Sequence, residues 1–392
     1  MKTRFRILHS LRAPVGGLFR HVCDLAAAQS RAGHEVAVVC ADSGDVLTAQ
    51  RLDALSAQVS LGVHRIAMGR AVGLADARAT LRVHALAKSL GVDVIHGHGA
   101  KGGAYARLAS RALRFTNGHS PLCVYTPHGG SLHFGADSIK GRAVLALERG
   151  FEAMTDALIF ESAYSAARYA DAVGRPRPLS RIVPNGVGPA DFVAVTLDDD
   201  ATDLLFVGEL RQLKGVDVLL DALAKVNRRQ SVTLTVVGSG PDADRFTAQS
   251  NALGLAGRVR FVGAHPARDA FKMGHMLIVP SRAESFPYIL LEAGALERPL
   301  MTTNVGGIPE IIGDSGVPML MPGDADALAA ALSDCLDAPE AHAVTAAKLR
   351  ARVASLFTIA AMASAVQEVY VAAAEHRALA ASKGDQRLKL PA

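Results

Sequence analysis

The sequence predicts an α/β protein built from two successive doubly wound domains, and three observations carry that expectation. Short β-branched runs alternate with Ala- and Leu-rich segments of helical period almost from end to end, the pattern of parallel strands joined by crossover helices. The alternation is interrupted once, by a turn-rich acidic stretch, and then restarts. At 392 residues and 50% hydrophobic content, the chain is too long for one ordinary core and suits two of roughly 150 to 200 residues each.

In chain order, the first series of strands is expected at Arg4 to Ser10, Glu35 to Cys40, Val92 to His96, Cys123 to Thr126, Ala157 to Phe160 and Arg181 to Val183. Helices of period 3.6 fall between them, as in Gly17 to Ala32 and Asp76 to Leu90. The stretch from Pro184 to Asp203, with Pro189 and the run Asp198-Asp199-Asp200, is placed as the linker. The second series follows at Asp203 to Val207, Thr233 to Val237, Val259 to Val262, Met276 to Val279 and Leu300 to Thr303. Domains are therefore expected at 1–190 and 191–358, with a last helix at 359–381 packing back across them and a flexible polar tail at 382–392.

Composition narrows the function classes. Four cysteines, Cys23, Cys40, Cys123 and Cys335, lie far apart with no C-x-x-C spacing, so neither a disulfide framework nor a zinc site is encoded and a reducing cytoplasm is expected. Met1 to Ser10 lacks the apolar core of a signal peptide. No run approaches the ~20 apolar residues of a spanning helix. Residues 1–190 hold 23 Lys and Arg against 13 Asp and Glu, a net +10, whereas residues 191–392 hold 19 against 24, a net −5. The basic half fits either an anionic membrane surface or acidic acceptor, or simply an Arg-rich solvated face. Nucleic acid is not expected, because aromatics are only 5% and the arginines are dispersed.

In open α/β sheets ligands sit at the carboxyl ends of strands, so the residues after each strand are the candidates. After the first strand comes Pro14-Val15-Gly16-Gly17, leading into the helix that carries His21; paired glycines let backbone N–H groups approach a phosphate or sugar, or form a plain strand-to-helix turn. The strand ending at Thr126 runs into Pro127-His128-Gly129-Gly130, which places His128 either to touch a ligand or to be satisfied by backbone. His96-Gly97-His98 has a metal-like spacing. No third ligand lies nearby in the sequence, so both histidines are read as lining a cleft or capping a loop, and no metal is expected.

In the second half, Gly208-Glu209-Leu210-Arg211-Gln212-Leu213-Lys214-Gly215 puts cations on a strand-end loop, where they could neutralise a diphosphate or be plain surface charge. Gly238-Ser239-Gly240-Pro241 follows the next strand but makes a poor dinucleotide fingerprint. The strongest local feature is Glu284-Ser285-Phe286-Pro287-Tyr288-Ile289-Leu290-Leu291-Glu292-Ala293. Ser285 is expected to cap a helix with Pro287 in its first turn, spacing the two carboxylates by roughly 10 to 12 Å along the axis. That separation is too long for a glycosidase acid/base pair and suits the two ends of an extended ligand. As isolated features, Glu284 would complement a helix dipole and Glu292 would be a surface acid.

Together these motifs resemble the family 4 retaining glycosyltransferases. Glu284 and Glu292 match the family's E-x7-E region, followed by Val305-Gly306-Gly307-Ile308-Pro309-Glu310, and Ile182-Val183-Pro184-Asn185-Gly186-Val187, G-E-L-R-Q-L-K-G, V-V-G-S-G-P and Gly16-Gly17 occur in the expected order. The resemblance implies a GT-B fold: two Rossmann-like doubly wound domains with an interdomain cleft, the donor held mainly by the C-terminal one and the acceptor by the N-terminal one. It implies a nucleotide-sugar donor, UDP-sugar favoured over GDP-sugar, as substrate, with no cofactor and no catalytic metal. Glu292 would bind the ribose, Glu284 a hydroxyl of the donor sugar, and Lys214 the diphosphate, with Gly16 and Gly17 closing over it. His128 would contact the sugar near the reacting carbon, the Ser285-Phe286 backbone would add hydrogen bonds, and Gly238, Gly240 and Pro241 would border the base. The family usually has Arg directly after the glycine where Glu209 stands, so Arg211 is expected to supply the cation if the segment is extended.

The long loop from Gly129 to Gly141 and G-E-L-R are similar to bacterial exopolysaccharide and lipopolysaccharide transferases, which implies a glycan or lipid-linked acceptor. The expected location is the cytoplasm, with a peripheral position on the inner face of the membrane as an additional expectation. Two other readings share the fold: a degenerate GT-B module that binds a nucleotide sugar or a partner without turnover, and a nucleotide-sugar 2-epimerase.

Overall fold

A computed structural model of the chain describes residues 4–42, 46–69, 72–116, 120–129 and 138–388; most of the loop between Gly129 and Gly141, and the end of the expected tail, lie outside them. The chain divides into two compact units, Met1–Asn185 with Ile359–Ala392, and Gly186–Thr358.

The first unit alternates strand and helix: β1 (Arg6–Leu11), α1 (Gly16–Arg31), β2 (Glu35–Cys40), α2 (Val46–Ser56), β3 (Val63–Arg65), α3 (Leu74–Leu90), β4 (Val94–His98), α4 (Gly99–Thr116), β5 (Leu122–Thr126), α5 (Ile139–Phe151), β6 (Ala157–Phe160), α6 (Ala163–Ala172) and β7 (Leu179–Ile182). The sheet runs β3-β2-β1-β4-β5-β6-β7 with every pairing parallel. Helices cover both faces, which is why β4 and β5 are buried at every position and show no alternation of apolar and polar residues. Strand order reverses between β1 and β4, so their carboxyl ends flank the switch point where such sheets bind ligands.

The second unit repeats the plan with β8 (Thr202–Val207), α7 (Val216–Val226), β9 (Leu234–Val237), α8 (Ala243–Ala252), β10 (Val259–Gly263), α9 (Ala267–Ala270), β11 (Gly274–Val279), α10 (Tyr288–Ala295), β12 (Leu300–Thr303), α11 (Ile308–Ile312), β13 (Met319–Leu320), α12 (Ala325–Asp337) and α13 (Pro339–Leu356). Its parallel sheet is ordered β10-β9-β8-β11-β12-β13, with the reversal between β8 and β11. β3 and β13 escape the sequence pattern because they are only three and two residues long and partly exposed, too short for periodicity to register.

The last helix, α14 (Ile359–Leu388), belongs to the first unit, where Met362, Val366, Val369, Tyr370 and Ala373 join the core formed with α1, β1 and β2. It passes the expected end at 381, because no proline intervenes before Pro391 and a single interior glycine, Gly384, costs only about 1 kcal/mol. Under α4, the buried Arg107 pairs with Glu148 at 2.7 Å and stacks 3.7 Å above the Tyr125 ring. Among the described residues no helix is long and apolar enough to cross a membrane.

Candidate functional site

In the second unit, four strand-end loops meet at the carboxyl edge of the sheet. The loop after β8 and the loop after β9 are bonded together: Leu210 N–H donates to Ser239 O at 2.9 Å, Asp242 N–H to Leu210 O at 3.0 Å, and Gln212 N–H to the Asp242 carboxylate at 2.7 Å. Gly238 sits at φ +152, and a Cβ there would lie 1.8 Å from Gly208 O, so only glycine allows this contact. A Cβ on Gly240 would lie 2.4 Å from Leu210 O, with exposed Pro241 next to it.

The loop after β11 is tied to the same assembly by Arg282. Its backbone N–H donates to Leu213 O at 2.8 Å, and its guanidinium takes both Asp217 carboxylate oxygens at 2.7 Å, a bidentate pair that keeps Arg282 protonated. This places Glu284 beside Lys214 across the β8/β11 switch point. Lys214 Nζ donates to Glu284 Oε1 at 2.6 Å, and the buried Ser281 hydroxyl donates to the same oxygen at 2.7 Å. Gly306, at φ +61 in the loop after β12, closes behind them: a Cβ there would fall 1.6 Å from Glu284 O.

Glu292 lies buried on α10 at 8% exposure. Ser285 is not the cap of this helix. Pro287 occupies that position with φ −73 and ψ 125, so residues 284–287 are not helical and the helical rise does not separate Glu284 from Glu292. The Phe286 ring packs against Phe357 in the core at 5.5 Å, leaving only its backbone for a ligand. Glu209 and Arg211 do not lie along an extended strand. Arg211 N–H donates to Glu209 O at 2.9 Å, folding the chain between them, and the two half-exposed side chains approach each other at 3.7 Å.

In the first unit, Gly16 and Gly17 open α1 with Gly16 at φ +64, and no side chain caps that terminus. His96 and His98 lie inside β4, fully buried, rather than in a loop after it, and His9, His21 and His128 stand around them. Register explains the gathering: β1 and β4 pair His9 with His96, α1 follows β1, and β5 sets Thr126 opposite His98, with His128 two residues beyond it.

The Gln29 amide sets the protons of part of this cluster. Gln29 Nε2 donates to Tyr370 Oη at 3.3 Å and its Oε1 accepts from His9 Nε2 at 2.7 Å, so His9 Nδ1 is an acceptor and takes the His98 Nε2 proton at 3.0 Å. Tyr370 in turn donates to His96 Nδ1 at 2.8 Å, and His96 Nε2 donates to Thr126 Oγ1 at 2.9 Å. His98 Nδ1 faces His128 Nε2 at 3.1 Å, while His128 Nδ1 lies 3.8 Å from the buried Glu161 carboxyl. His21 Nδ1 donates to Asn185 Oδ1 at 2.9 Å, and its Nε2 has no hydrogen-bond partner among the described residues. Burial lowers the pKa of His9 and His21 to about 4, holds His96, His98 and His128 well below the ordinary value, and raises Glu161 to about 7.

Sequence models of known families divide the chain along similar lines. Glycosyltransferase Family 4 matches residues 15–191 and Glycosyl transferases group 1 matches residues 201–338. Glycogen synthase of Mycobacterium tuberculosis is 30% identical over 383 residues, spanning 92% of each chain. The chain belongs to glycosyltransferase family 4. Sucrose-phosphate synthase from Thermosynechococcus elongatus superposes with a TM-score of 0.78 at 22% identity, covering 97% of this chain and 100% of that one. Anabaena HepE, solved in complex with UDP-glucose, gives 0.76 at 20% identity, covering 94% and 100%. Both likenesses establish the GT-B fold.

For this family 4 glycosyltransferase, Lys214, Glu284, Gly238, Gly240 and Gly306 come together in the second unit, while Gly16, Gly17 and His128 stand on the first. Ser281 and the Arg282–Asp217 pair were not singled out in the sequence. Ser281 stands three residues before Glu284 and Asp217 opens the helix after Lys214, which is the only signal that could have found them.

Proposed function

We propose that this glycosyltransferase is a retaining enzyme that moves a sugar from a nucleoside diphosphate donor, UDP-linked in preference to GDP-linked, to a glycan or lipid-linked acceptor. The observation that carries the reading is the Lys214–Glu284 pair at 2.6 Å on the switch point of the second unit. An ammonium has three N–H donors, so Lys214 can keep Glu284 and still offer two to a diphosphate whose charge grows as the sugar departs. Glu284, steadied by Ser281, then takes a sugar hydroxyl, Glu292 the ribose, and the Ser285 and Phe286 backbone further sugar oxygens. The glycine-zipped loop at Gly238, Gly240 and Pro241 borders the base. The leaving phosphate accepts the acceptor's proton as the new bond forms on the same face, so the protein contributes orientation and charge. The name of the mycobacterial relative supports a glucan-type acceptor, and the UDP-glucose held by HepE supports a UDP donor.

The test is a thermal-shift screen of nucleotide sugars, followed by NMR of the product's anomeric configuration with the donor that binds. Retention in the wild type and a loss of roughly 10²–10³-fold in turnover for Lys214→Ala and Glu284→Ala are expected. Inversion, or wild-type transfer by both variants, overturns the reading. One observation favours a binding module without turnover: Glu209 draws Arg211 toward itself. Donor hydrolysis or transfer by the purified chain excludes it.

A further inference from the structure

On one face of the first unit's sheet α3 and α4 lie side by side, and Val83 and Ala87 of α3 enter the same core as Ala106 and Leu113 of α4. The other face is packed by α1, α2 and α14. With those positions inward, helical period turns Leu74, Arg78, Leu81 and Lys88 of α3 outward, and all four are exposed. The outer side of α4 carries Leu108, Arg111 and Phe115, also exposed. Single apolar side chains on a surface are ordinary. Here they recur two turns apart on two neighbouring helices, with an arginine between each pair, and Leu74, Leu81 and Phe115 are 87%, 67% and 74% exposed. The Arg111 guanidinium lies 4.6 Å from the centre of the Phe115 ring. The two helices contain a single acid, Asp76, and its carboxylate accepts from Lys101 Nζ at 2.7 Å and from the Tyr105 hydroxyl. The α3–α4 side is therefore cationic without relief, whereas the exposed acids Asp53, Glu368 and Glu375 stand on α2 and α14 across the sheet.

We propose that the outer face of α3 and α4 is a docking surface for an anionic lipid bilayer. Charge complementarity sets the sign of the partner: exposed cations with no carboxylate among them are drawn to the negative potential of acidic headgroups. The interleaved leucines and phenylalanine select a bilayer over a soluble polyanion. An acidic polysaccharide or nucleic acid offers nothing for Leu81 or Phe115 to enter, whereas the boundary between headgroups and acyl chains takes apolar side chains to a depth of about 5–10 Å. Arginine suits such a stripe, because its aliphatic stem lies along the apolar neighbours while its head stays at the phosphates. The Arg111–Phe115 stack brings the two groups together in that arrangement. Attachment is peripheral, since both helices give their inward sides to the protein core and only the outward stripes to the lipid. Each exposed Lys or Arg strengthens attachment by about fivefold, and salt weakens it because these charges face solvent. The surface shares no residue with the donor site proposed for the second unit, and its test needs no turnover.

The experiment is flotation of the full chain, with no donor present, on vesicles of phosphatidylglycerol and phosphatidylcholine in equal parts and on vesicles of phosphatidylcholine alone. Attachment to the first, its release by salt, and none to the second are expected. Arg78→Ala and Arg111→Ala should each weaken attachment about fivefold, and Leu81→Ser and Phe115→Ser each about tenfold. All four side chains are exposed, so these variants keep the fold. Leu379→Ser, at an exposed apolar residue of α14, should attach as the wild type does. The chain has no tryptophan, so Phe115→Trp installs a single fluorescent reporter. Its emission should shift to the blue on the anionic vesicles, and that of Leu379→Trp should not. Absence of flotation with the anionic vesicles, or an unshifted emission from Phe115→Trp, overturns the proposal. So does attachment that Leu81→Ser and Phe115→Ser leave unchanged, which is the behaviour of a surface for soluble polyanions.

Discussion

Replacing Gly306 by alanine separates two costs that usually come together. The new Cβ would lie 1.6 Å from Glu284 O, where contacts under 3.0 Å essentially never occur, so the Glu284 loop must retreat by about 1.4 Å. The backbone stands at φ +61, which costs a residue with a side chain about 1–2 kcal/mol. Forced repacking adds about 1–3 kcal/mol. Gly263 is the matched control: it has φ +77 in the same unit, with nothing within 4 Å of its would-be Cβ, so Gly263→Ala carries only the first cost. At about 2–4 °C per kcal/mol for a unit of this size, Gly306→Ala should melt lower than Gly263→Ala by at least about 2 °C in a circular-dichroism melt. The same retreat breaks the 2.6 Å contact between Lys214 and Glu284. A misplacement of about 1 Å costs on the order of 10² in rate, so donor turnover should fall about that much in Gly306→Ala alone. Equal melting of the two variants, together with wild-type turnover by Gly306→Ala, refutes the reasoning.

Other outcomes follow from the same structure. Glu148→Ala leaves the Arg107 guanidinium buried without its carboxylate, and denaturant unfolding should show a loss of about 3–5 kcal/mol. Arg282→Lys cannot span both Asp217 oxygens, so it should reduce donor affinity in a thermal-shift titration while moving the melting temperature little. The histidine cluster makes the chain acid-labile. His9 and His21 bind protons less readily folded than unfolded, so stability is lost as pH falls from about 6.5 toward about 4, by about 3 kcal/mol for each ring. Glu161, raised to about 7, binds its proton more readily when folded and opposes the loss over part of that range, but it is one group against several. A melting temperature unchanged between pH 7 and 5 would contradict the burial of these rings.

The sequence by itself determined the class of the fold, most strand positions and the E-x7-E motif. Those features are local: β-branched runs, helical period and the E-x7-E spacing each lie within a short stretch of chain. Propensity favours Ser285 as the cap, whereas Pro287 holds the chain extended for two more residues. Tertiary structure alone decided the rest, for two reasons. Parallel register is fixed by crossovers of many residues, so nothing local says that His9 stands beside His96 or that Thr126 stands opposite His98, which brings His128, two residues on, to the His98 ring. The pairing of Lys214 with Glu284 likewise depends on β8 and β11 becoming neighbours at the point where strand order reverses, a choice made by packing helices on both faces of the sheet.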